Sequence, residues 1–261
     1  MRKSILGLSA FALVALATPA MAQDDDGLGL TITGGGAVVS DYRFRGLSQS
    51  SEDFAVQGSF TVTHTSGFYA GVWGSSISFA QGTEIDLIGG FSKEIIPGLT
   101  GDVGFTYYVY PNKVAGLAAN EIIEPYASVS GTVGPVWAKA GIAWAPKQDA
   151  YLFNGKRYDN TYLWADGSVG IPSTPLKATA HLGWTSNGAL RGTVADAFST
   201  QTKADIIDYS VGASATYKAL TFGVNYVNTN VPKRFRNGGG TSLREGAGAD
   251  GTVVFSVAAA F

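Results

Sequence analysis

Apolar and polar side chains alternate at a period of two along almost the whole chain, in short segments separated by Gly, Pro, Ser and Asn. This is the pattern of strands with two chemically different faces. The last segment shows it most clearly: Val253, Phe255, Val257, Ala259 and Phe261 share one side, and Thr252, Val254, Ser256, Ala258 and Ala260 the smaller other side. Its eleven residues from Gly251 span roughly 35 Å at strand rise, enough to cross a hydrocarbon core at a tilt. Earlier strands are predicted at 28–45, 54–65, 68–79, 83–95, 99–110, 121–131, 135–145, 158–171, 176–185, 204–217 and 220–229. In the first, Asp41, Arg43 and Arg45 oppose Tyr42 and Phe44. In the third, Tyr69, Trp73, Ile77 and Phe79 fall together, and in the fourth Ile85, Leu87 and Phe91 oppose Glu84, Asp86 and Ser92.

Counting the closing segment, the pattern predicts twelve strands. An even number brings both ends of the chain to one side, as in single-chain outer-membrane barrels. Connections alternate in length too. Ser66-Gly67, Ile96–Gly98, Thr132–Gly134, Pro172–Pro175 and Lys218-Ala219 are tight, whereas Ser186–Lys203 and Asn230–Asp250 are long, and Ala80–Gly82 breaks the rule. Short turns on one side and long loops on the other mark a barrel inserted from the periplasm. The expected fold is therefore all-β, a transmembrane antiparallel up-and-down β-barrel of twelve strands. Pro125 removes a ladder hydrogen bond from the sixth strand, and ten strands result if that segment is a loop.

The amino terminus reads differently. Arg2 and Lys3 precede an apolar run to Ala17, followed by Pro19 and Ala20-Met21-Ala22, the layout of a cleaved signal peptide. The expectation is export, with 1–22 as signal peptide and 23–261 as the barrel. Loss of Arg2 and Lys3 changes 18 basic residues against 20 acidic to 16 against 20, a net charge of −4, which gives nucleic acid no basic surface to bind. There are no cysteines, so neither disulfides nor Cys-based metal sites arise. The 35 glycines and 12% aromatic residues fit an all-β chain.

Tyr42, Phe44, Phe79, Tyr107, Trp144, Trp184 and Tyr226 fall towards the long-loop ends of their strands, on the apolar side. Tyr69, Phe222 and Phe261 fall towards the short-turn ends. Two aromatic bands are expected at the membrane interfaces. Parity sends Asp41, Arg43, Arg45, Glu84, Asp86, Asp102, Lys139, Asp166, Lys177, His181 and Asp208 inward, where charged linings tune the solute preference of a pore. Arg43 and Arg45 are expected to face Glu84 and Asp86 across the lumen. Twelve tilted strands give a backbone diameter of roughly 24 Å and a passage on the order of 10 Å. The loop residues Lys147, Lys156, Arg157, Arg191, Lys203, Lys233, Arg234 and Arg236 suit contact with anionic lipopolysaccharide, or a funnel for anions.

Ser40-Asp-Tyr-Arg-Phe-Arg-Gly46, Ala55-Val-Gln-Gly58, Ser66-Gly-Phe-Tyr-Ala-Gly-Val-Trp-Gly-Ser75, Glu84-Ile-Asp-Leu87 and Tyr107-Tyr-Val-Tyr-Pro111 resemble the TorF family of porin-like proteins. That family is also catalogued as Gcw_chp, bacterial proteins of unknown function. The resemblance is dense over 39–111 and diffuse afterwards, and it implies an outer-membrane barrel conducting small solutes. The terminal strand ending on Phe261 likewise resembles the closing strands that the barrel-assembly machinery recognises.

Catalytic patterns are poor. The two histidines, His64 and His181, lie on opposite faces, and no nucleophile-elbow motif accompanies either. The glycine triplets 34–36 and 238–240 lack the Lys-Ser/Thr and helix of a phosphate loop. No cofactor is implied. The sequence reading is a porin-like channel for passive diffusion of small hydrophilic solutes or ions. Its alternatives are a closed barrel with a structural or binding role and, more remotely, an outer-membrane hydrolase.

Overall fold

The computed structural model describes residues 27–78, 82–111, 121–153, 156–186, 205–231 and 248–261. The signal-peptide reading, Phe79, and the loop cations Arg191, Lys203, Lys233, Arg234 and Arg236 lie outside the described residues. Twelve strands form one closed antiparallel barrel. They are β1 (Leu30–Val39), β2 (Ala55–His64), β3 (Phe68–Ser76), β4 (Thr83–Ile96), β5 (Leu99–Val109) and β6 (Glu121–Val133), then β7 (Val136–Ala145), β8 (Asn160–Gly170), β9 (Leu176–Thr185), β10 (Ile206–Tyr217), β11 (Leu220–Thr229) and β12 (Thr252–Ala260). Each strand pairs with its neighbours in sequence, and β12 pairs with β1.

Three of the tight turns form because glycine supplies a positive φ, and in the other two Ser173 and Lys218 adopt it at φ 62° and 55°. Gly67, Gly98 and Gly134 stand at φ 109°, 85° and 59°. Their registers then dictate every face. The outer wall is apolar: Val56, Leu87, Phe105, Ile142, Leu182, Val211 and Phe255 are 43–64% exposed. Such a girdle around a water-soluble domain would be an aggregation surface; around a barrel it is what lipid contacts.

β6 is a strand despite Pro125, so the ten-strand alternative does not hold. Pro125 faces outward opposite Phe105 of β5, and the β6–β7 ladder begins one residue later, at Tyr126–Ala143. Beyond the proline, the side chain of Gln148 substitutes for the missing strand. Its Oε1 accepts from Ile123 N–H at 2.9 Å, and its Nε2 donates to Ile123 C=O at 3.1 Å.

The closing seam is short, with five residue pairs from Gly35–Ala260 to Val39–Ser256. Phe261 and Gly34 lengthen it by exchanging two backbone hydrogen bonds of 2.9 Å. A Cβ on Gly35 would lie 2.6 Å from the Ala259 carbonyl oxygen, so this approach requires glycine. At the other end, Ser40 N–H donates to Phe255 C=O, while Ser40 Oγ, in place of a backbone oxygen, accepts from Phe255 N–H. There the chain leaves the wall. The first strand was expected to run on through Arg45; instead, residues 41–50 turn inward.

Because Val224 sits mid-strand on the lipid side of β11, 40% exposed, Val224→Arg is expected to destabilise the barrel by about 2–4 kcal/mol. Urea titration of the barrel in phospholipid vesicles measures this, and an unchanged midpoint would contradict the assignment of that face to lipid.

Candidate functional site: a lumen crossed by a hairpin

The inward segment is built around a miniature hairpin in which Arg43–Phe44 pairs with Leu47–Ser48. Its turn is Arg45-Gly46, both in the left-handed region at φ 49° and 80°, as a type I′ turn requires. Gly46 has no room for a side chain, since a Cβ would fall 2.3 Å from Thr229 Cγ2 and 2.8 Å from Asp208 Cβ. Arg45 is not a glycine, and its backbone conformation persists because its side chain is held from several directions.

That side chain spans the lumen. The guanidinium donates to Glu124 Oε1 at 2.5 Å and to Asn160 Oδ1 at 3.0 Å. Glu124 is on β6 and Asn160 on β8, the strands flanking β7, which lies diametrically opposite β1 in the ring. The group lies 4.1 Å over the Tyr162 ring and 4.8 Å over that of Phe44, so a carboxylate, an amide oxygen and two aromatic faces enclose it. Burial alone would favour the neutral form, but Glu124 and the surrounding tyrosines outweigh it and hold Arg45 charged.

Arg43 fastens the base of the hairpin. It pairs with Asp41, reaches Glu52 at 3.1 Å, and donates to the carbonyls of Gly248 and Asp250 in the connection before β12. Tyr42 packs against Trp73 with centroids 5.4 Å apart and the ring planes tilted by 59°, and its hydroxyl donates to Glu84 Oε1 at 2.7 Å. Burial, then the Glu84 charge, raise the Tyr42 phenol well above its ordinary pKa, which keeps it a donor.

Below the hairpin a belt of alternating charge follows neighbouring strands. Tyr69 donates to Asp102 at 2.8 Å, and Lys139 lies 4.0 Å from Asp102 and beside Asp166 in register. His181 has Nδ1 2.7 Å from Asp166 and Nε2 3.0 Å from Asp208, with the Tyr162 hydroxyl at 2.9 Å. Lys177 lies lower on the same face of β9, paired with Gly170 and Ser214.

The inward positions thus hold Glu84, Asp86, Asp102, Lys139, Asp166, Lys177, His181 and Asp208 on strands, and Asp41, Arg43 and Arg45 on the inward segment. Arg43 and Arg45 do not face Glu84 and Asp86 as expected; their partners are Asp41, Glu52, Glu124 and Asn160. Tyr42, Phe44 and Tyr69 are not at the lipid boundary. Tyr42 is buried, Phe44 packs edge-on against Tyr108, and Tyr69 reaches Asp102 and Tyr126 inside. The turn sets the last of these, because it holds three residues, Thr65 to Gly67; a two-residue turn would pair Tyr69 with His64, whereas this one pairs it with the inward Thr63. By contrast Tyr107, Trp144, Trp184, Phe222, Tyr226 and Phe261 lie on the outer wall, with Tyr107 and Trp184 paired to the exposed Leu87 and Leu163. The ~10 Å passage expected from strand number is occupied at this level by the hairpin.

Glu124, Asn160 and Tyr162 were absent from the sequence list. Glu124 shares the inward parity of Tyr126 and Ser128, a signal obscured by Pro125. The signal for the Phe44-Arg45-Gly46-Leu47 turn is the glycine in second turn position, in a stretch that alternation alone reads as strand. Among the described residues, the inward carboxyl groups of Asp41, Glu84, Asp86, Asp102, Glu124, Asp166 and Asp208 outnumber the inward basic side chains of Arg43, Arg45, Lys139 and Lys177.

Because Arg45 and Glu124 are both largely buried, Arg45→Ala and Glu124→Ala are each expected to cost about 3–5 kcal/mol, leaving an uncompensated charge. The double variant should cost less than their sum by about 0.5–3 kcal/mol. Denaturant unfolding of the four proteins checks this, and strict additivity would show that the pair does not couple.

No curated protein matches the chain in sequence. Among solved structures, the NanC porin in its rhombohedral crystal form aligns with a TM-score of 0.51 and 10% identity, over 88% of this chain and 98% of that one. The KdgM porin aligns with a TM-score of 0.51 and 9% identity, over 88% and 97%. At such identity the likeness is one of fold: the chain shares the closed porin-like barrel. A family model described as bacterial protein of unknown function (Gcw_chp) matches residues 23–261, and the chain belongs to that family.

Proposed function

We propose that this protein is an outer-membrane channel through which small hydrophilic solutes or ions diffuse passively, as the porin-like reading of the TorF resemblance implies. The observation that carries this is the pairing of an apolar outer wall with a charged lumen narrowed by one inward segment. A barrel needed only as an anchor gains nothing from burying ionised groups inside, whereas a selective passage uses them. The porin names of the two solved neighbours support the reading by fold. The family match starts at residue 23, directly after Ala22, which fits removal of a signal peptide and delivery to the outer membrane. Outward Trp144, Phe222, Tyr226 and Phe261 would anchor the barrel at the two interfaces, with β12 as the segment offered to the assembly machinery and exposed Lys156 and Arg157 facing lipopolysaccharide.

A second reading, a closed barrel with a structural or binding role, is favoured by the packing of the outer half of the lumen, where Trp73, Asp86 and Asn160 are 1% exposed or less. Planar-bilayer recording decides between them. The channel reading expects discrete conductance steps from the refolded mature chain, and larger steps from Arg45→Ala, in which the hairpin loses its hold on the far wall. Silence from both proteins would establish the closed barrel.

A further inference from the structure

We infer that Asp86 is the core of a binding site for a singly charged cation, at the level where the hairpin crosses the lumen. Three buried carboxylates face the lumen near this level. Glu84 and Asp86 are two residues apart on the inward face of β4, roughly 7 Å along the strand, and Glu124 lies beyond Tyr108, whose hydroxyl it accepts at 3.2 Å. The chain supplies donors or cations to two of them: Tyr42 to Glu84, and Arg45 with Tyr108 to Glu124. Asp86 is fully buried, and neither of its carboxylate oxygens has a hydrogen-bond partner among the described residues.

A buried carboxyl group left without a partner costs free energy, and the Arg45 guanidinium is committed to Glu124. The walls around Asp86 specify what fits. Its cross-strand neighbours are Trp73 on β3 and Tyr108 on β5, with side chains on the same face within reach of a shared ligand. A carboxylate between two aromatic residues suits an alkali ion or an ammonium group, which draws on both charge and ring faces. The Arg45 cage shows the same lumen holding a cation in this way. A multidentate divalent ion does not fit, because no group of three His, Cys, Asp or Glu side chains among the described residues could hold a metal ion.

The inference deepens the channel reading by assigning its preferred solutes to the cationic class, yet its test does not require conduction. The refolded mature barrel in detergent is melted in rising potassium chloride or methylammonium chloride. N-Methyl-D-glucamine chloride, whose cation is far bulkier than either, keeps the ionic strength constant. Binding to the folded state raises the midpoint in a saturable way. Asp86→Asn and Asp86→Ser should weaken the apparent affinity on the order of tenfold to a hundredfold, whereas Asp166→Asn, lower in the lumen, should leave it unchanged. A shift with potassium alone assigns the site to inorganic ions; a shift with methylammonium as well extends it to amine-bearing solutes. No cation-specific shift in the parent protein, or a full shift in both Asp86 variants, overturns the inference. Conductance without the shift would sink the site and spare the channel, and the shift without conductance would do the opposite.

Discussion

A strand that crosses lipid must have every backbone N–H and C=O paired within the protein, because the hydrocarbon offers no substitute. Twelve strands meet that demand only if the last finds the first, so the whole molecule depends on the five-pair seam between β1 and β12. Each unusual feature of the seam serves closure. Gly35 lets the backbones approach, Gly34 leaves space for the Phe261 ring, and Phe261 itself adds the final pair of hydrogen bonds. The same demand explains Gln148, whose amide takes the place of a strand beside Ile123, where the ladder has lapsed around Pro125.

Closure creates an interior, and the interior is where this barrel departs from an empty tube. Arg45 reaches from the β1–β2 connection to β6 and β8 and binds in a cage of carboxylate, amide and aromatic groups. Its left-handed backbone is a cost that only several simultaneous contacts can offset. Two further non-glycine residues of this segment, Ser51 and Glu52, share that conformation at φ 57° and 66°. Three of the five such residues among those described lie in this one connection, and the other two, Ser173 and Lys218, lie in turns of the wall.

Most of the wall was legible. Alternation at period two identified the strands, and the glycine turns fixed which ends lie together. The inward parity of Glu84, Asp102, Lys139, His181 and Asp208 follows from the same count. Tyrosine defeated it at Tyr42 and Tyr69. A phenol serves equally well at a membrane interface and as a lumen donor, so residue type could not say which face it occupied. For Tyr69 the turn holds three residues where the sequence reading has two, and that one-residue shift pairs it with Thr63 and sends it inward. For Tyr42 no local count suffices, since the chain has already left the wall at Ser40.

By itself, then, the order of residues determined the strand number, the turns, and the separation of an oily face from a wettable one. All of these depend on neighbours a few positions apart. Which carboxylate meets which cation was decided only when the sheet closed, because Arg45, Glu124 and Asn160 are distant in the chain and meet across the width of the barrel. Asp86 shows the same division: its inward direction is a matter of parity, while its burial without a partner among the described residues depends on Tyr42, Trp73 and Tyr108 arriving from three other stretches of the chain.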